Sequence, residues 1–178
     1  MLILIALLGV AAWTFTEYML HRFLGHVHKG KNFFKAEHHL HHAKANYFAP
    51  VYKKASLVIP GAVILIALIS LVTSVAAATA FIVGFISMYF LYETTHFRFH
   101  SKEPVAKPFI ILRKHHFYHH FHNPKMNHGV TTRIWDRVFG TFKRVEKVNI
   151  PKQMSMQWLL DGAEIKSDYA EHFRMSGR

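Results

Sequence analysis

The chain contains no cysteine. That excludes disulfides, thiolate zinc sites, cysteine-held iron–sulfur clusters and thiol nucleophiles, and it leaves the compartment unread from redox chemistry. Acids are scarce: 10 Asp and Glu stand against 22 Lys and Arg in 178 residues, a formal net charge of +12. Such an excess asks for an anionic partner. No stacking or groove-reading motif points to nucleic acid, whereas the basic residues flank apolar blocks, as they do on the cytoplasmic side of a membrane. Charge is absent altogether from two long stretches, Met1–Thr16 and Ala55–Tyr92, and neither holds a histidine. A dinucleotide fingerprint, a fixed-period repeat and a low-complexity linker are missing too.

The uncharged stretches set the architecture. The first apolar run continues past Glu17 to Leu20, and 20 residues of helix rise about 30 Å, enough to span a hydrocarbon core. It has no basic leader and no evident cleavage site, so it reads as a membrane helix rather than a signal peptide. The second stretch is long enough for two spans, at about 56–74 and 76–94, joined by a weak turn signal. A single long tilted helix or a re-entrant pair is the alternative. Three spans with basic loops place Met1 outside and bring the histidine-rich regions 21–54 and 95–147 to one cytoplasmic face. The expected fold is an all-α integral membrane protein forming a single domain over 1–178, with a histidine-rich di-metal cap in the cytosol. The tail, 148–178, carries Pro151 and an apolar patch at Trp158, Leu159 and Leu160. It reads as an interfacial helix, a cap over the site, or a solvated C-terminal helix.

Histidine is abundant, at 16 residues, and patterned. His38, His41 and His42 form HxxHH, and His116, His119 and His120 repeat it. Residues three and four apart are neighbours on a helix, so each triad offers a metal-binding face. His96 and His100 form an i, i+4 pair after the second uncharged stretch. His21 and His26 follow the first, and their i, i+5 spacing needs a helix end or bend to converge. Ten imidazoles exceed the about four to six ligands that one transition ion accepts, so two metals are expected. Imidazole suits iron, zinc, copper and nickel alike. His28 and His172 read as surface or satisfied core residues, and His39, His115, His122 and His128 as extra histidines beside the motifs, in supporting or substrate-facing places rather than as ligands.

HRFLGH, EHHLHH, YETTHFRFH and KHHFYHHF, followed by HGVTTRIWDRVFGT, together resemble the fatty acid hydroxylase and sterol desaturase superfamily, and within it fatty acid 2-hydroxylases. The resemblance runs over about Trp13 to Lys143. It implies oxygen-dependent hydroxylation of a membrane lipid acyl chain, with His21, His26, His38, His41, His42, His96, His100, His116, His119 and His120 as ligands to two iron ions. Zinc is possible in purified protein. Asp136 would accept an imidazole N–H near the metals, and Trp135 would pack. Members commonly have four membrane helices, and some carry a fused cytochrome; this chain shows three spans and no such domain. Electrons would therefore come from a separate ferredoxin or b-type cytochrome; a basic face of Lys29, Lys31, Lys35, Arg113 and Lys114 suits such an acidic donor, and lipid phosphates explain the same charges. Carotenoid hydroxylation and lipid or sterol desaturation are the alternatives within the superfamily. A metal transporter or sensor is the reading from another class, disfavoured because transporters place ionisable ligands inside their spans.

Overall fold

The computed structural model describes residues 1–104 and 106–177. Among them, three helices are long and apolar enough to cross a membrane. Helix α1, Leu2–Met19, runs on without a break into a π-helical segment, Leu20–Val27. Helix α3, Val51–Ser70, and helix α4, Val75–Ser101, form the hairpin. Its turn lies at 71–74, where the Ser74 hydroxyl accepts the Ala77 N–H and starts α4. The single long helix is thereby ruled out. Helix α4 continues beyond the expected end at 94, so His96 and His100 ride on the same helix.

Helices α1 and α4 run parallel and close. A Cβ on Gly9 would lie 2.0 Å from the Phe81 carbonyl oxygen, and one on Gly84 would lie 1.9 Å from that of Ala6. Only glycine allows this approach, the small-residue packing that membrane helices use in place of a hydrophobic drive. Further along, Trp13 sets its ring edge-on to Phe85 and Tyr89 at 5.1 and 5.0 Å. The pair therefore delivers its two C-terminal ends, and their histidines, side by side.

Two shorter helices complete the histidine end: α2, Phe33–Ala43, capped by the Asn32 side chain on the Lys35 N–H, and α5, Lys107–Phe121. A short α6, Ile134–Val138, follows. The tail departs from the helical expectation. Strand β1, Val148–Pro151, pairs in parallel with β4, Phe173–Ser176, and β2, Leu160–Asp161, forms a hairpin with β3, Glu164–Ile165. The hairpin turns at Gly162, whose φ of +59° suits glycine. Inward Val148 and Ile150 alternate with outward Asn149, the two-residue period of a strand. With Trp158, Leu159 and Phe173, they pack on Phe99, Ile110 and Phe117 of α4 and α5. Full burial of each such side chain contributes about 1.5–3 kcal/mol, so the tail forms the apolar core behind the histidine helices. The chain is mainly helical rather than wholly so.

Candidate metal centre

The ten singled-out histidines gather into two groups of five. His21, His26, His38, His42 and His119 form one, and His41, His96, His100, His116 and His120 the other. In each, one ring nitrogen per residue lies within 4.8 Å of all the others. Neither HxxHH stays together. On α2, the i, i+4 pair His38 and His42 joins the first group while His41 joins the second; on α5, His116 and His120 join the second while His119 joins the first. Adjacent residues on an α-helix diverge by about 100°, so the middle histidine faces the neighbouring centre. Both helices thus straddle both groups, and the His42 and His120 rings stack across the divide at 4.1 Å. The expectation of one metal-binding face per triad is corrected to this split.

His21 and His26 converge because the segment is π-helical. Its i→i+5 bonding, seen where the His28 N–H meets the Phe23 carbonyl at 2.7 Å, stacks residues five apart. Their ring centroids lie 5.4 Å apart. Gly25 keeps the close pass with α2 open, since a Cβ there would meet the His38 ring at 2.9 Å.

Backbone carbonyls set the tautomers. His21 Nδ1 lies 2.5 Å from the His128 carbonyl, His119 Nδ1 lies 2.9 Å from that of Met126, and His41 Nδ1 lies 2.7 Å from that of Tyr47. A carbonyl only accepts, so each Nδ1 carries the proton and each Nε2 presents a lone pair. Yet His119 Nε2 sits 2.9 Å from His21 Nε2, 2.9 Å from His26 Nε2 and 3.1 Å from His42 Nε2. Two lone pairs cannot hydrogen-bond to each other. In the second group, buried His41 Nε2, His96 Nε2 and both nitrogens of His120 have no hydrogen-bond partner among the described residues. Protonation is not the answer, because burial first, and neighbouring imidazoles next, hold His38, His116, His119 and His120 well below the ordinary histidine range. Burial likewise pushes His41 down to about 4 and His42 to about 2. Neutral imidazoles aimed at common points are the donor set that a transition-metal ion satisfies, and each group could hold one.

Three carboxylates fix the loops that supply those carbonyls. Glu17, buried on α1, accepts the N–H groups of Val130 and Thr131 and the Thr131 hydroxyl. Asp136 accepts the N–H groups of His128 and Gly129 and the Thr141 hydroxyl. It also accepts from His115 Nε2 at 2.8 Å. Burial alone would raise the Asp136 carboxyl, but these hydrogen bonds outweigh it and hold it below its usual value. Burial lowers His115 as well, so at neutral pH the contact is a neutral imidazole donating to a carboxylate rather than an ion pair. Glu37 accepts from the Tyr47 hydroxyl and from Lys53, each at 2.6 Å, and so holds the Tyr47 carbonyl under His41.

Beside the two groups lies a cavity of about 350 Å³ between α1, α3 and α4. Its far walls are Leu65, Ile82 and Phe85, and its near end reaches His21, His38, His41 and His96. An apolar slot rising between spans to two imidazole clusters has the shape and lining for a lipid tail.

The fatty acid hydroxylase family profile matches residues 6–141. The chain belongs to this family. It is 33% identical over 151 residues to a dihydroceramide fatty acyl 2-hydroxylase of Arabidopsis thaliana, covering 80% of this chain and 62% of that protein. It is 37% identical over 145 residues to a ceramide very long chain fatty acid hydroxylase of Saccharomyces cerevisiae, covering 75% of this chain and 36% of that protein. A solved structure of full-length scs7p, in which only the hydroxylase domain is visible, superposes with a TM-score of 0.65 at 32% identity, over 80% of this chain and 56% of that one. The chain thus spans less than two thirds of the length of these relatives.

Several residues fall elsewhere than the sequence suggested. Asp136 does accept an imidazole N–H, but from His115, which belongs to neither group. Arg113 is not on a docking face: it is buried, donates to the Arg98 and Lys102 carbonyls at the end of α4, and stacks on Trp158 at 4.2 Å. Trp135 packs on Phe15 and also donates to Thr14. Glu93 pairs with Lys54 at the cavity wall. His28 is exposed, in keeping with its surface reading, His39 and His122 are exposed too, and His172 pairs with Glu171. Glu17, Glu37 and the His128 carbonyl were missed. Glu17 had a signal, as the one charge within an otherwise apolar 20-residue run.

Proposed function

We propose that this chain hydroxylates the acyl chain of a membrane lipid, at the 2-position by likeness to its dihydroceramide and ceramide hydroxylase relatives. The observation that carries the reading is the apolar cavity between the long helices that reaches His21 and His38 of one histidine group and His41 and His96 of the other. His21, His26, His38, His42 and His119 would hold one metal ion, and His41, His96, His100, His116 and His120 the other. Iron is the proposed metal, molecular oxygen the co-substrate, and a separate ferredoxin or b-type cytochrome the electron source. When bound, the iron pair supplies the oxygen activation that no side chain can perform.

The rest is the work of the chain's own residues. Leu65, Ile82 and Phe85 hold the tail in apolar surroundings and fix its direction, so that a carbon near the lipid's polar end arrives at the histidines. The His128, Met126 and Tyr47 carbonyls keep three ring protons away from the centre. Burial and the packed tail exclude water. The basic surroundings of the histidine end favour the cytoplasmic face, where exposed Lys29 and Lys31 offer charge to an acidic donor. The whole of 1–178 acts as one unit in this reading.

Lipid extracts from cells with and without the chain, compared by mass spectrometry, provide the test. A new 2-hydroxyacyl lipid is expected. An unchanged profile, with metal-loaded protein present in the membrane, would sink the proposal.

A further inference from the structure

A second, smaller hollow of about 290 Å³ lies on the outer side of the histidine end, lined by Ile111, Leu112, Thr131, Thr132, Arg133 and Arg137. Both guanidiniums lean over one ring, Phe142, at 5.9 and 4.6 Å from its centroid. Among the described residues, neither has a carboxylate within salt-bridge distance. The nearby Asp136 is turned inward onto His115 and the 128–129 N–H groups. Two like charges drawn together without an acid are held at a cost that an anion between them removes. The Thr132 hydroxyl oxygen accepts the Ile134 N–H, which leaves its own proton free for such an anion.

The neighbourhood says which anion. Helix α6 lies against the last turns of the first span, through Trp135 to Thr14 at 3.0 Å and through Phe139 stacked on Tyr18 at 5.2 Å. On its outer side, Ile134 and Val138 are 57% and 62% exposed, one helical turn apart, and Ile111 on α5 is 43% exposed. Apolar side chains left bare at the level where a span ends, beside paired arginines, match the boundary between acyl chains and headgroups. We propose that Arg133, Arg137 and Thr132 bind the phosphate of an anionic membrane phospholipid, with Ile111, Ile134 and Val138 against its acyl region. This site is separate from the histidine groups and does not depend on the reaction proposed for them.

The purified full chain in neutral detergent can be titrated with phosphatidylglycerol or phosphatidylcholine in mixed micelles, and retained lipid read by native mass spectrometry. Phosphatidylglycerol is expected to be retained in preference to phosphatidylcholine. The double variant Arg133→Gln, Arg137→Gln is expected to hold it roughly thirtyfold more weakly, at about a fivefold loss per arginine near a membrane surface. Lys152→Gln, an exposed charge on the tail, serves as the control and is expected to match the parent. If the double variant does not accumulate, Arg137→Gln alone, at an exposed position, carries the test with about a fivefold loss. Equal retention by parent and variants, or equal retention of the two lipids, overturns the site. Displacement by inorganic phosphate at matching concentration overturns the lipid assignment, because it would mean that the acyl region adds nothing. Binding of an acidic electron donor that falls in the variants while lipid retention holds overturns it as well.

Discussion

At the scale of single residues, the tautomers carry the chemistry. His119 is the hub of the first group, with its Nε2 within 3.1 Å of three other imidazole nitrogens. His119→Ala should therefore lose the first metal while the second group, with its five ring nitrogens intact, still binds its own, though more weakly. Elemental analysis should fall from about two metals per chain toward one, with hydroxylation abolished. Retention of two would unseat the assignment. Glu17 acts one step further out: it binds the loop whose His128 carbonyl orients His21. Glu17→Gln keeps an acceptor but turns an amide toward N–H donors. The cost should be about 1–3 kcal/mol in thermal unfolding, with metal affinity lowered by roughly 10–100-fold. A purely structural role would lower stability and leave metal affinity unchanged.

At the scale of elements, α3 forms the outer wall of the cavity. Gly61 lines that cavity, and nothing lies within 4 Å of a Cβ placed on it. Gly61→Phe should fit without strain and fill the slot. Product analysis should then show a shift to shorter acyl chains, or a fall of about tenfold in rate, at unchanged metal content; an unchanged chain-length profile would remove this cavity as the tail site. The elements also show what a sequence exposes. The spans and the ten histidines were legible because charge-free runs and i, i+3, i+4 spacing are local patterns. The division of each HxxHH was not, since it depends on what the helix faces across the fold. The convergence of His21 and His26 was legible only as a need, met by π-helical bonding that leaves little mark on side-chain type. The strands of the tail were not foreseen, although Pro151 argues against a helix and the alternation of Val148, Asn149 and Ile150 is a strand signal; the partner strand, Phe173–Ser176, lies more than twenty residues on.

For the whole molecule, the buried histidines make stability depend on pH. Their folded values lie below the ordinary 6.5, at about 4 for His41 and about 2 for His42. A depressed value means that the unfolded chain takes up protons first as pH falls. Stability is therefore complete above about 6.5 and is lost progressively toward 4 and below. Metal loss should follow the same course, since protonated imidazole cannot ligate. Melting in detergent at pH 7.5 and pH 5 should show a fall of several degrees with metal release (about 2–4 °C per kcal/mol for a domain of this size), and a flat profile would mean that the rings are not neutral in the folded chain. The straddling of α2 and α5 has a further consequence for how the protein fills. Each helix that one ion draws into place also sets ligands of the other group, so the first binding event prearranges the second. Loading should be positively cooperative: in a metal titration followed by native mass spectrometry, singly occupied chains should be rarer than independent filling allows.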